Sequence, residues 1–147
     1  MFKNLVLAFA LVFAALPATA EDKAPREHRL VIHVDDNDAA KMNLALNNAA
    51  NVSQFYADKG EDVQIEIVAY GPGLHMLRED TSPVKERIIS FSQSMPNVSF
   101  AACANTMDNM KKAEGKEIPI TPKAKVVIAG VVRMMELQEQ GWSYIKP

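Results

Sequence analysis

The stretch His28-Arg-Leu-Val-Ile-His-Val34 is the segment that decides the fold class. Its middle is almost continuously apolar and β-branched, which is typical of a strand buried on both faces in a parallel sheet. The next residues, Asp35-Asp-Asn-Asp38, are turn and helix-capping types. From Ala39 to about Lys59, small and apolar residues recur at helical spacing. The sequence therefore predicts a buried strand followed by an amphipathic helix.

Predicted strands and helices alternate along the rest of the chain. Residues 63–70 alternate and then become apolar, which predicts a strand nearer the edge of the sheet, and residues 125–129 predict a buried strand. Two further strands are predicted over residues 98–102 and 142–145. The helices between them are predicted over residues 74–79, 84–95, 104–114 and 131–140. This order predicts a single α/β sandwich on a mostly parallel sheet, over residues 28–147.

The first 20 residues have the features of a cleavable signal peptide. Lys3 precedes an unbroken apolar run over residues 5–16, and Ala18-Thr-Ala20 fits the small-x-small pattern of a cleavage site. The run is well short of the roughly 20 residues that a helix needs to cross a bilayer. We therefore expect a periplasmic or secreted protein with no membrane attachment after cleavage, and a loose charged lead-in over residues 21–27.

Composition narrows the possible partners and the role of the single cysteine. The net charge is −2 and there is no basic cluster, so nucleic acid is not an expected partner. With Cys103 alone, the chain cannot form an internal disulfide, and its stability must come from its core. In an oxidising compartment such a thiol is buried, joined to another chain or used for chemistry.

The candidate functional side chains follow the predicted strands. In open parallel sheets, ligands bind beyond the carboxyl ends of the strands. The residues at or just beyond these ends include two histidines, one glycine, the cysteine and two polar neighbours of the cysteine. These candidates are His33, Gly73, His75, Cys103, Asn105 and Thr106.

Cys103 has the strongest physical case among them. It lies where a predicted strand runs into a predicted helix, and a helix N-terminus favours an anion and lowers the pKa of a thiol. Such a thiolate can attack a sulfur or carbonyl centre. Asn105 and Thr106 are able either to donate hydrogen bonds to a bound anion or to cap the helix. The alternative for Cys103 is a small buried side chain that completes the strand.

The two candidate histidines each allow two interpretations. His33 lies within an apolar strand, so it is either a core histidine with a hydrogen-bond partner or a catalytic base. His75 follows the Gly71-Pro-Gly73 loop, so we expect it to be more exposed and more mobile, and the better acid–base candidate. Its alternative is an ordinary surface histidine. The loop itself is too short to be a phosphate-binding fingerprint.

A metal site is the weaker hypothesis. Soft ligands for copper(I) are available, but there is no dense Cys/His tract, and the single Met-x-x-Met pair fits a core stripe. The side chains concerned are Cys103, His75, Met76, Met107 and Met110. We therefore predict neither a resident metal nor another cofactor.

Five segments, in order, give the chain a resemblance to the DsrE/DsrF-like family of small sulfur-relay proteins. The most specific are Cys-x-Asn-Thr-Met and the ending Gly-Trp-x-Tyr-Ile-x-Pro. The five are His28-Arg-Leu-Val-Ile-His33, Asn47-Asn-Ala-Ala-Asn51, Val68-Ala-Tyr-Gly-Pro-Gly-Leu74, Phe100-Ala-Ala-Cys-Ala-Asn-Thr-Met107 and residues 130–147. The resemblance implies a three-layer sandwich on a five-stranded parallel sheet, and homo- or hetero-oligomers, often trimers or hexamers.

The resemblance also implies a function. In this family, the cysteine matching Cys103 accepts sulfane sulfur as a persulfide and passes it on, with Asn105 and Thr106 in its loop. Two departures are the signal peptide, which implies a different donor and acceptor, and Ala104, where relatives commonly have glycine. We therefore expect an exported sulfur carrier or sulfurtransferase-like protein, forming a homo-oligomer, whose partners are thiol or persulfide donors and acceptors. The alternative is a non-catalytic oligomeric binding module for a small anion, copper or a protein.

Overall fold

A computed structural model describes residues 27–147. The predicted signal peptide and almost all of the predicted lead-in lie outside the described residues. The strands are β1 (His28–Val34), β2 (Val63–Ala69), β3 (Val98–Cys103), β4 (Ala124–Val127) and β5 (Ser143–Ile145). The α-helices are α1 (Ala39–Ala57), α2 (Lys85–Ser94), α3 (Ala104–Glu114) and α4 (Gly130–Glu139), and a 3₁₀-helix spans Gly71–Leu77.

The five strands form one parallel sheet in the order β4-β3-β2-β1-β5. The chain adds strands outward from β1 to β4, and then crosses back to place β5 on the other side of β1. This confirms the predicted parallel α/β sandwich. It also puts the carboxyl ends of all five strands along the same edge, which is where ligands bind in such sheets.

Because the chain crosses back from β4 to β5, the helices are divided unequally between the two faces of the sheet. One face carries the larger apolar core, to which α1, the 3₁₀-helix, α2 and α3 all contribute. On the other face, Met134 and Leu137 of α4 pack on Val31, Val68 and Ala101. In the described part of the chain, a single helix therefore covers the second face, called here the α4 face.

Two predictions about the strands are wrong. The sequence predicts that the strand over residues 63–70 lies nearer an edge, but β2 is the central strand. Its polar Glu66, which suggested partial exposure, is buried beneath Arg133 of α4. The Glu66 carboxylate accepts two hydrogen bonds of 2.7 Å from this guanidinium. The predicted buried strand over residues 125–129 is instead the edge strand β4, which is partly exposed, and Val126 is 50% exposed.

Predicted capping residues lie at the start of α1 and at the end of α3, whereas α1 ends at Ala57, with Asp58 as its C-cap, before the predicted C-cap Gly60. The Asp38 side chain accepts a hydrogen bond of 2.7 Å from the backbone N–H of Ala40 at the start of α1. Gly115 has a φ of 66°, the left-handed conformation that commonly ends a helix, directly after α3. Among residues 27–147, no helix is long and apolar enough to span a membrane.

Candidate functional site

Four side chains from neighbouring strands form a row on the α4 face, near the carboxyl ends of the strands. Residues two apart on a strand share a face. Because Val31, Val68 and Ala101 pack against α4, His33, Tyr70 and Cys103 follow them on that face. Tyr144 of the outer strand β5 completes the row, since its hydroxyl lies 2.7 Å from His33 Nδ1.

The Cys103 sulfur lies where two helices begin. Cys103 is the last residue of β3 and the N-cap of α3, and it is only 4% exposed. Backbone N–H groups at Asn105 and Thr106 of α3, and at Gly130 at the start of α4, lie near the sulfur and favour its charged form. Helix N-termini stabilise a negative charge, so this arrangement favours a thiolate.

Hydrogen bonding outweighs burial in setting the Cys103 pKa. Burial is the largest single influence and raises the pKa, because it disfavours the charged form. The Thr106 hydroxyl and the three backbone N–H groups lower it, and together they bring the pKa below the ordinary value for a cysteine. The thiol is therefore buried and has a lowered pKa, so burial and a favoured thiolate occur together at Cys103.

Thr106 is positioned to donate its proton to the sulfur. Its hydroxyl oxygen accepts a hydrogen bond of 2.9 Å from the backbone N–H of Gly71, at the start of the 3₁₀-helix. A hydroxyl has one proton to donate, and this contact leaves it free for the Cys103 sulfur. Asn105 is exposed, and its N–H donates to the Ile128 carbonyl oxygen at 3.2 Å, which links α3 to the β4–α4 connection.

Gly130 and Tyr70 are site residues that sequence reasoning missed. A Cβ at Gly130 would lie 2.9 Å from both Cβ and Cδ1 of Tyr70, so only glycine fits here without displacement. The fit brings the start of α4 close to the sheet, where its first N–H reaches the sulfur of Cys103. The available signal was a glycine between a predicted strand and a predicted helix.

His33 lies in a buried polar environment next to the core. It is 6% exposed, its ring stacks on Tyr70 with centroids 4.8 Å apart, and its Nε2 lies 3.5 Å from Asp35 Oδ2. Burial lowers the His33 pKa, although the Asp35 charge acts in the opposite direction, so the ring is neutral at pH 7. Asp35 is also paired with Lys146, at 2.6 Å.

Gly73 and His75 lie on the other side of Thr106 from the sulfur. Gly73 is buried against the end of β1, where a Cβ would lie 2.3 Å from the Val34 carbonyl oxygen. His75 is half-buried, within the 3₁₀-helix, and its Nδ1 lies 3.1 Å from the Thr81 hydroxyl. His75 and Thr106 both line an open groove of about 410 Å³ between the 3₁₀-helix and α3.

The candidate copper ligands do not come together. Met76 is fully buried in the larger core, and Met107 and Met110 pack against the same core. Over the described part of the chain, no three His, Cys, Asp or Glu side chains are grouped so that they could hold a metal ion. The methionine pair is therefore part of the packing between α3 and the sheet.

Comparison with known proteins agrees with this architecture. The model of the DsrE/DsrF-like family matches residues 29–147. A solved structure, MTH1491 from Methanobacterium thermoautotrophicum, described as a protein of unknown function, is 31% identical. The similarity covers 82% of this chain and 99% of that one, with a TM-score of 0.69. No curated protein matches the chain. With this family match over nearly all of the described residues, the chain belongs to the DsrE/DsrF-like family.

Proposed function

We propose that this protein is an exported sulfur carrier that holds sulfane sulfur as a persulfide on Cys103. Membership of the family suggests a sulfur-relay-like protein in general terms. The observation that carries the specific proposal is the position of Cys103 at the N-terminus of α3, where Thr106 and the backbone N–H groups of Asn105 and Gly130 lower its pKa. A thiolate is the reactive form of cysteine in exchange between sulfur atoms.

Sulfur transfer through this thiolate requires no oxidant, reductant or cofactor. The Cys103 thiolate attacks the outer sulfur of a donor persulfide, R–S–SH, and a new S–S bond forms. The S–S bond of the donor breaks, and its electron pair leaves on R–S⁻, which takes a proton from water. In the second step, an acceptor thiolate attacks the outer sulfur, and Cys103 leaves as a thiolate. The same N–H and O–H donors stabilise Cys103 as nucleophile and as leaving group.

The composition of the chain supports an external acceptor. Cys103 is the single cysteine, so the second thiol must come from a partner protein or a small molecule. If residues 1–20 direct export, both donor and acceptor act in the periplasm or outside the cell.

The direct test is sulfur uptake from a small persulfide. We expect the wild-type protein, treated with glutathione persulfide, to gain one sulfur atom on Cys103, measured by mass spectrometry of the intact chain and its peptides. Cys103→Ser should gain none, because a hydroxyl is not nucleophilic enough at neutral pH. Equal denaturation midpoints for the two proteins would show that the fold is retained. Sulfur uptake by Cys103→Ser as large as that of wild type would rule out the proposal.

A non-catalytic binding module is the second candidate, and the burial of Cys103 favours it. Only 4% of the residue is exposed, as expected of a structural cysteine. Under this function, the folded protein would react slowly with alkylating reagents at every pH, and Cys103→Ser would mainly reduce stability. The sulfur-carrier proposal requires the opposite result in both measurements.

We also propose that the protein forms a homo-oligomer, a trimer or a hexamer by the family resemblance, through the α4 face. Large apolar side chains are exposed on α4 and at β4, and Ile128 is 83% exposed. Among residues 27–147, α4 is the one helix on this face, and an exposed apolar patch of this kind is typical of an interface, so we expect a second copy to bury these side chains. They are Val126, Ile128, Val131, Val132, Met135 and Tyr144.

Charged side chains introduced among these exposed apolar residues of the α4 face should dissociate the oligomer. Val131 and Met135 are each about half exposed and lie one helical turn apart on α4. We expect the double variant Val131→Asp, Met135→Lys to sediment as a monomer where the wild type sediments as an oligomer. Leu44→Lys is the matched control, because Leu44 is similarly exposed on α1, and it should leave the mass unchanged. A monomeric wild type, or dissociation by Leu44→Lys alone, would contradict this interface.

A further inference from the structure

We propose that Tyr144 and His33 are positioning residues for Cys103, which act by holding Tyr70 against Gly130. This inference rests on the proposed function, because it assigns a role to the reactivity of the thiol. It goes further by connecting the sulfur to the outer strand β5 through a series of contacts. The four side chains of the row, which are those of Tyr144, His33, Tyr70 and Cys103, are called here the positioning row.

The first contact in the positioning row sets the orientation of His33. The Tyr144 hydroxyl and His33 Nδ1 are 2.7 Å apart. At 3.5 Å from the carboxylate of Asp35, Nε2 is beyond a good hydrogen bond, but a proton there is attracted to the negative charge. The proton of the neutral ring therefore belongs on Nε2, and Tyr144 donates to Nδ1. Tyr144 is then the group that orients the buried ring.

The second contact passes this orientation to Tyr70. The rings of His33 and Tyr70 stack with an interplanar angle of 17°, so the position of one ring limits the position of the other. On its other side, Tyr70 lies against Gly130, where there is not enough room for a Cβ. The Tyr70 ring is thus held between His33 and the first residue of α4.

The third contact reaches the sulfur. The backbone N–H of Gly130, the first residue of α4, lies near the Cys103 sulfur and favours its thiolate, and the position of this N–H depends on how closely α4 approaches Tyr70. Hydrogen bonds weaken steeply as their geometry departs from ideal. If the His33 ring is no longer held in one orientation, Tyr70 and Gly130 can shift. The interaction between the Gly130 N–H and the Cys103 thiolate then becomes weaker.

The ionisable groups around the positioning row keep their protonation states over the pH range in which Cys103 is titrated, so a change in the titration can be assigned to the thiol. Burial lowers the pKa of His33 and raises that of Tyr70, so both stay neutral between pH 7 and 9. Hydrogen bonding between Asp35 and Lys146 lowers the pKa of the carboxyl and raises that of the amine, so both stay charged. Other ionisable groups that influence the row are Asp36 and Lys41 beside it and Tyr144 within it.

The test is the pH profile of Cys103 alkylation by iodoacetamide. We expect Tyr144→Phe to raise the apparent pKa of the thiol and to slow alkylation at pH 7 by about three- to tenfold, because each pKa unit is a factor of ten in thiolate. The rate at high pH, where every thiol is ionised, should match that of wild type.

The second His–Tyr pair of the chain provides the control. Tyr56 stacks on His28 with centroids 3.8 Å apart, on the first residue of β1, the end opposite His33. Tyr56→Phe should therefore not change the profile. A purely structural role for Tyr144 would expose the thiol and raise its alkylation rate at every pH, and this result, or an unchanged profile, would overturn the inference. Alkylation requires no sulfur transfer, so failed persulfide uptake with a shifted profile would refute the proposed function alone.

Discussion

Replacing Gly73 with alanine is expected to destabilise the folded state by about 3 kcal/mol, the upper part of the range for overpacking a core. The added Cβ would lie 2.3 Å from the carbonyl oxygen and 2.5 Å from the carbonyl carbon of Val34. These are backbone atoms at the end of a buried strand, so they cannot rotate away as a side chain would. The measurement is the free energy of unfolding from chemical denaturation.

Gly60→Ala is the matched control for this prediction. Gly60 has a φ of 68°, and no atom lies within 4 Å of the position of an added Cβ. Its substitution costs only the strain of a left-handed residue, about 1 kcal/mol. Gly73 is not among the glycines with positive φ, so its cost is steric. A loss of stability in Gly73→Ala no larger than in Gly60→Ala would contradict the close approach of the 3₁₀-helix to β1.

Thr106→Val is expected to have the largest effect on thiol reactivity short of removing the cysteine. The substitution preserves shape but removes the hydroxyl, the strongest of the groups that lower the Cys103 pKa. A lost donor makes the thiolate less favourable, so the pKa rises. Below that pKa, each unit of increase reduces the thiolate fraction tenfold. We therefore expect alkylation at pH 7 to slow by about tenfold, with no change at high pH.

Thr106→Ser separates the hydroxyl from the rest of the side chain. Serine retains the oxygen that accepts from Gly71 and the proton that reaches the sulfur, so its alkylation profile should stay close to that of wild type. If Thr106→Val and Thr106→Ser slow alkylation equally, the methyl group or the packing of α3 is responsible. A wild-type profile in Thr106→Val would show that the hydroxyl does not stabilise the thiolate.

The local sequence predicted the elements well because their signals are short in range. The apolar run of β1 and the glycine after α3 each depend on neighbouring residues only. The placement of Cys103 between a strand and a helix was equally predictable, since the strand pattern ends where the helical pattern begins. The order of the strands in the sheet was harder to predict from the sequence. Glu66 gave β2 the pattern of an edge strand, and only its pairing with Arg133 on α4 allows its burial at the centre of the sheet.

The sequence predicted which residues of the candidate site lie at strand ends, but it did not predict which of them are neighbours in space. His33 and Cys103 were named, but Tyr70 lies between them directly after the central strand, and the sequence does not say which strands are neighbours. His75 was the preferred acid–base candidate, yet it lies in the groove beyond Thr106, whereas His33 lies in the row that leads to Cys103. Gly130 contributes through its backbone, which has no distinctive side chain to reveal it.

The sequence by itself determined that this protein is a parallel α/β domain with one cysteine at the junction of a strand and a helix. Hydrophobic periodicity and helix capping act between residues close in the chain, so these features are readable from it. Only the tertiary structure decided which groups surround the cysteine and lower the pKa of its thiol. These groups belong to α3 and α4, and the contacts that hold α4 in place extend across the sheet to β5. The pKa of a buried thiol depends on groups brought together by strand order, which no local pattern encodes.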